Sequence, residues 1–148
     1  MFSGIIEQKV IRWFLKMVKY ITGIYALNIF EGNDTCGDWH SNILQDLEYN
    51  ETEDLVGLNF FKELKTDYCE LTNVYVANHV RALADMFKAY VNTNKIKTLK
   101  YCVNDYLDGR EDKKVELYNL VKNLNILDED TKDVYMNEFG LKVMKLWT

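Results

Sequence analysis

Apolar residues recur at helical spacing along most of the chain, most clearly between residues 72 and 91. This segment carries an apolar side chain every three or four residues, at Val76, Val80, Leu83, Phe87 and Val91. That is the spacing of one buried helix face. Thr72 or Asn73 can cap its start. We therefore predict a central helix over residues 72–91.

Similar patterns predict the remaining elements. Helices are expected over residues 3–21, 39–47, 55–64, 96–107 and 111–124, with a last one from Asp128 to about Gly140. Residues 24–30 either extend the first helix or form a strand-like piece, whereas residues 31–37 and 92–94 are expected in loops. Residues 50–54 are expected to form a loop or a poorly ordered hairpin. The chain contains no proline to interrupt helices. The prediction is one all-α domain over residues 1–148, a bundle of five to seven helices, in which the tail could instead be a short strand.

The N-terminal segment has an unusually broad apolar face. Charged residues interrupt it at every turn, so we do not predict that it spans a membrane. A stripe this wide favours packing on two sides within the fold or against a second chain, and the alternative of a helix lying in a membrane surface is weaker. Trp13 and Phe14 are the predicted contacts, with a partner protein or in a homodimer through residues 3–21.

The net charge of -5 is unevenly distributed. Residues 23–72 contain eleven acidic side chains against only Lys62 and Lys65, a net charge of -9. This balance disfavours DNA binding, which needs clustered Lys and Arg. It indicates either a solvated face or a surface that meets a basic protein partner.

The three cysteines are widely spaced and do not suggest a disulfide framework. With no secretory signal recognised, we expect free thiols in a reducing cytoplasm.

Unusual residues gather at positions 36–40, where the sequence reads Cys-Gly-Asp-Trp-His. One interpretation is a zinc site, whose ligands would be Cys36, His40, Cys69 and His79. Another is a small enzyme or ligand-binding domain that uses Asp38, His40 and His79, although the spacing matches no catalytic motif. There is no phosphate-binding glycine loop, and we predict no cofactor.

The preferred interpretation of the same cluster is structural. Asp38 would cap a helix, Trp39 would anchor the turn in the core, and the polar face of the central helix would receive it. That face is formed by Asn78, His79 and Arg81. Such a cluster could also bind a partner through Trp39, Asn78 and Arg81.

Three short segments resemble a group of small bacterial proteins associated with toxin–antitoxin or phage-defence gene neighbourhoods. They are Ala-Leu-Asn-Ile at 26–29, Gly-Asp-Trp-His at 37–40 and Ala-Asn-His-Val-Arg-Ala at 77–82. The likeness spans about residues 22–100, and Phe30 departs from the family's usual proline. The resemblance implies association with a partner protein, and it names no reaction.

These observations predict a cytoplasmic protein–protein interaction module from a bacterium or phage. Its most specific form is an antitoxin, immunity protein or inhibitor that binds a basic partner. The competing hypothesis is the enzyme or ligand-binding domain described above.

Overall fold

The centre of the fold is a mixed four-stranded sheet. A computed structural model describes residues 17–29, 48–65, 70–126 and 128–130. Its strands are β1 (Val18–Thr22), β2 (Glu48–Thr52), β3 (Leu58–Lys65) and β4 (Glu70–Ala77). Their spatial order is β2-β1-β4-β3. β1 is antiparallel to β2 and parallel to β4, and β4 is antiparallel to β3. The predictions of an all-α domain and of a helical bundle are therefore wrong.

Four helices accompany the sheet in the described residues: α1 (Gly23–Leu27), α2 (His79–Tyr90), α3 (Ile96–Leu107) and α4 (Glu111–Asn123). α2 is the central one, because it contacts the other three helices as well as β1 and β4. Apolar side chains of these elements form one continuous core. None of the helices in the described ranges is long and apolar enough to cross a membrane.

Three predicted helices are contradicted by strands. Residues 18–21 of the first belong to β1, and most of the 55–64 segment belongs to β3. The central helix begins at His79 because residues 70–77 form β4 and Asn78 takes the N-cap position, with its Oδ1 accepting from the Arg81 N–H at 2.8 Å. The error has a physical cause: Val76 and Val80 suit one helix face, but the run of Val and Tyr in 74–76 equally suits a strand. Residues 50–52 of β2 lie in the segment predicted as a loop or a poorly ordered hairpin, because an edge strand facing water carries few apolar residues.

The second half of the described chain agrees with its prediction. α3 has the expected bounds, α4 is one residue shorter than expected, and residues 92–94 connect helices. Gly109 follows α3 in the left-handed conformation, with φ +72°. The predicted helix 39–47, the helix after Asp128 beyond residue 130, the segment 3–16 and the tail lie outside the described residues.

A glycine joins β1 to α1 where the chain passes the partly buried carboxylate of Glu48. Gly23 has φ +70°, which favours glycine. A Cβ atom there would overlap the Glu48 carboxylate. That carboxylate accepts a short hydrogen bond from the Tyr90 hydroxyl. Burial, and then the bond to Glu48, raise the pKa of Tyr90. Gly23 therefore leaves room for a contact that ties β2 to the end of α2.

We expect Gly23→Ala to lower the free energy of unfolding by about 2–4 kcal/mol, since it combines backbone strain with displacement of Glu48 from Tyr90. The matched control is Gly109→Ala, because Gly109 has the same backbone conformation but no atom within 4 Å of the added Cβ. Urea unfolding followed by far-ultraviolet circular dichroism measures both. Equal losses at the two positions would show that the Glu48 contact contributes nothing.

Candidate functional site

A buried arginine organises the first turn of α2. Only 4% of the Arg81 side chain is exposed. Its Nε donates to Asp85 Oδ1 at 3.3 Å, and Nη2 donates to the hydroxyls of Tyr20 (3.2 Å) and Thr52 (3.3 Å). Nη1 donates to two main-chain carbonyls, those of Asp54 at 3.2 Å and Val56 at 2.8 Å. A guanidinium has five N–H groups, so every one of them has an acceptor inside the protein.

Asp85 balances the charge of Arg81 one helical turn away. Its Oδ2 accepts from the Tyr20 hydroxyl at 2.6 Å and from the Thr22 hydroxyl at 2.7 Å. The Arg81 guanidinium also lies 5.2 Å from the centre of the Tyr20 ring. Burial, and then the bond to Asp85, raise the pKa of Tyr20 to about 12. The ion pair and its hydroxyl partners thus form a closed network between β1 and α2.

The same arginine holds the connection between β2 and β3. Within this loop the Asp54 N–H donates to Thr52 Oγ1 at 3.0 Å, and the Val56 N–H donates to Asp54 Oδ1 at 3.0 Å. The loop ends at Gly57 (φ +72°), whose carbonyl accepts from the Asn78 N–H at 2.7 Å. A Cβ on Gly57 would come within 2.8 Å of Arg81 Cβ. The loop is therefore fixed from inside through its main chain.

β2 and its connection to β3 are rich in acidic residues and expose apolar ones, and we call residues 48–57 the acidic–apolar segment. It contains four acidic residues and no basic one. Leu55 is 51% exposed, Val56 is 48% exposed and Tyr49 is 42% exposed. The Lys19 ammonium lies 4.4 Å from the centre of the Tyr49 ring, so Leu55 and Val56 are the main apolar groups available to a partner.

Asn78, His79 and Arg81 all lie at the start of α2, where His79 and Arg81 contact separate partners. That they receive the turn at residues 38–40 stays a prediction, because this turn lies outside the described residues. His79 is 1% exposed, its Nε2 lies 2.7 Å from the Ile29 carbonyl, and its ring meets Tyr106 edge-on at 5.5 Å. Because the carbonyl is an acceptor, Nε2 carries the proton. These contacts give all three residues a structural role, and a direct bond from Arg81 to a partner would require breaking one that it already makes.

The other predicted site residues lie outside the described part of the chain. They are the partner-binding candidates Trp13, Phe14 and Trp39, and the catalytic or zinc candidates Cys36, Asp38, His40 and Cys69. Their roles stay predictions. Within the described ranges no group of three or more His, Cys, Asp or Glu side chains is placed to hold a metal ion.

A shallow recess lies beside His79. It has a volume of about 10 Å³, room for about one water molecule, and is lined by residues of α1, β3, β4 and the start of α2, together with Ile29. Pockets for small-molecule ligands are usually about 300–1,000 Å³. Its size therefore does not suit a typical substrate.

Sequence reasoning missed Tyr20, Thr52 and Asp85 as partners of Arg81. One signal was available: Arg81 and Asp85 are four residues apart on one helix face, within an otherwise apolar stretch. A charged pair of opposite sign inside a buried helix indicates mutual pairing. The partners from β1 and β2 had no such signal, because they depend on the sheet.

We expect Arg81→Met to lower the free energy of unfolding by about 3–5 kcal/mol, because it leaves the Asp85 carboxylate buried without its counter-charge. Arg81→Lys should also destabilise, since an ammonium cannot reproduce the planar fork. The control is Lys65→Met, which removes an exposed ion pair with Glu70 at 3.5 Å and should change stability by at most about 1 kcal/mol. Urea unfolding compares the three variants, and similar small losses in all would contradict this account of Arg81.

The raised pKa of Tyr20 predicts a specific loss of stability in alkali. The folded pKa is about 12 against 10.0 for the free side chain, so the folded protein holds this proton more tightly. Its contribution is complete below pH 10 and disappears as pH rises towards 12. One pKa unit corresponds to about 1.4 kcal/mol, which gives a contribution on the order of 3 kcal/mol. The Tyr20→Phe variant should therefore be less stable than the unmodified protein at neutral pH. Between pH 10 and 12, however, its free energy of unfolding should fall by less. The exposed Tyr101→Phe should follow the unmodified protein; identical pH profiles for all three proteins would refute the assignment.

Comparisons with known proteins add nothing to this geometry. No protein-family model matches the chain, and neither a curated protein nor a solved structure matches it.

Proposed function

We propose that the protein is an interaction module that binds another protein through the acidic–apolar segment. One observation carries the proposal. Of the five large hydrophobic side chains exposed in the described residues, three lie in this segment of ten residues, which contains four acids and no base. Exposed apolar groups ringed by charge are typical of protein-binding surfaces.

The rigidity of the segment supports the same role. Arg81 bonds two of its carbonyls and Asn78 bonds a third. Binding a loop that is already ordered costs less conformational entropy than ordering it on contact. The excess of carboxylates favours a partner with a basic surface, and it accelerates encounter with such a partner.

The specific form that we propose is an antitoxin, immunity protein or inhibitor acting in the cytoplasm of a bacterium, its partner being a basic toxin or nuclease. The support is the charge pattern of residues 23–72 and the resemblance of three short segments to proteins of toxin–antitoxin and phage-defence neighbourhoods. Trp13 and Phe14 remain proposed additional contacts.

A small enzyme or ligand-binding domain that uses Asp38, His40 and His79 has less support. His79 is buried and its Nε2 is bonded to a carbonyl. A general base needs access to the proton that it removes. The recess beside His79 is also small.

The test begins with capture of a partner on the tagged full chain in source cells, followed by calorimetry on the purified pair. The double variant Leu55→Ser, Val56→Ser should raise the Kd at least about tenfold, since two buried apolar side chains contribute more than 1.4 kcal/mol. Tyr101→Ser is the control, because Tyr101 is 63% exposed on α3, away from the segment.

Charge is tested separately with Glu53→Lys. It should slow association, and the effect should shrink at high salt. Asp105→Lys makes the same charge change on α3 and serves as its control. A genuine partner that binds both segment variants as tightly as the unmodified protein would disprove this surface. Normal unfolding curves for the variants would exclude misfolding as the cause of weaker binding.

A further inference from the structure

β3 is the longer of the two edge strands of the sheet. It has eight residues, whereas β2 at the other edge has five. Within the described ranges it pairs with β4 on one side and with no strand on the other. Its side chains Asn59, Phe60, Lys62 and Glu63 are exposed, Phe60 to 54%. The main-chain groups of such an edge are a template for another strand.

We propose that β3 of a second copy of this chain pairs with β3 in antiparallel fashion, with Phe61 opposite its own copy at the two-fold axis. The two sheets then form one continuous sheet across the axis. This proposal is independent of the proposed function, since it uses the β3 edge rather than the acidic–apolar segment.

Symmetry restricts the register. Two identical strands that continue one sheet are related by an axis perpendicular to it, so opposite residues must lie on the same face. The axis therefore lies midway between one residue and its own copy, and we name each register by that residue. For a strand over residues 58–65, only axes at Phe61 or Lys62 keep seven residues of each strand paired.

Charge then selects between these two registers. An axis at Lys62 places the two Lys62 side chains directly opposite each other, and like charges in that position destabilise a sheet. An axis at Phe61 places Phe61 opposite its own copy, Phe60 opposite Lys62, Asn59 opposite Glu63, and Leu58 opposite Leu64. No like charges meet, and the pairs are aromatic, cation–π, polar and aliphatic.

The existing contacts prepare one face for this arrangement. The Phe60 ring already packs on Tyr75 of β4, with ring centres 5.0 Å apart. The opposing Lys62 would approach this exposed ring from the other strand. Because a single pair of strands buries little surface, the dimer should be weak, with a Kd of micromolar order or higher.

Substitution of Asn59 tests the register with opposite signs at one exposed site. In the Phe61-centred dimer, Asn59→Lys creates two attractive pairs with Glu63, and Asn59→Glu creates two repulsive ones. Each pair is worth a few tenths to 1 kcal/mol, so the Kd should fall or rise roughly two- to thirtyfold. In the Lys62-centred register Asn59 faces Lys65, and both signs reverse. Sedimentation at concentrations up to about 0.5 mM measures the Kd, the range being set by the expected weakness of the interface.

Disulfide trapping gives a second readout, which reports the register of the two strands directly. In a Cys36→Ser, Cys69→Ser background, Phe61→Cys should crosslink on oxidation, since directly opposite strand residues have Cα atoms about 4.5–5.5 Å apart. Lys62→Cys and Glu63→Cys should crosslink far less. A protein that stays monomeric over the whole concentration range overturns the proposal. So do reversed effects at Asn59, or stronger crosslinking at residue 62 than at residue 61.

Discussion

The structure depends on the burial of one guanidinium. Arg81 lies at the start of the central helix, and its five donors reach Asp85 in that helix, hydroxyls on β1 and β2, and two carbonyls of the β2–β3 connection. A charged side chain in such a place destabilises the fold unless every polar group around it is paired. Pairing is complete only when the helix, both strands and the loop are in position together. The network therefore links elements that are distant in the sequence.

The part of the fold that sequence could predict is the part with local causes. α3 and α4 have helical periodicity and local end signals, such as Gly109 after α3, and their bounds agree with expectation. The sheet has no local signal of that strength: β1 pairs in parallel with β4, and the paired residues are 55 positions apart in the chain, as for Tyr20 and Tyr75. β2 is an edge strand without an apolar face, and β3 has apolar spacing that also suits a helix. Pairing partners decide these strands, and periodicity does not report partners.

The residues of the candidate site also fall into two groups: those that the sequence indicates and those that only the structure reveals. Asn78, His79 and Arg81 were recognised because polar residues stand out in an apolar helix. Their partners could not be inferred, since Tyr20 and Thr52 reach Arg81 only once the sheet is built. The negative charge of the acidic–apolar segment can be predicted from composition. What structure adds is that Leu55 and Val56 are exposed within it, on a connection that sequence analysis divided between a loop and a helix.

The way in which the loop is held has a consequence for its outer surface. Arg81 and Asn78 bind the main-chain carbonyls of Asp54, Val56 and Gly57, and a carbonyl is present whatever side chain the residue carries. The loop conformation therefore does not depend on the side chains of Glu53, Leu55 and Val56. Since their apolar atoms would be more stable out of water, the fold gives no reason for Leu55 and Val56 to be apolar. A contact with another protein would give such a reason. The buried arginine is therefore connected to the proposed binding surface, because it fixes the main chain that presents Leu55 and Val56.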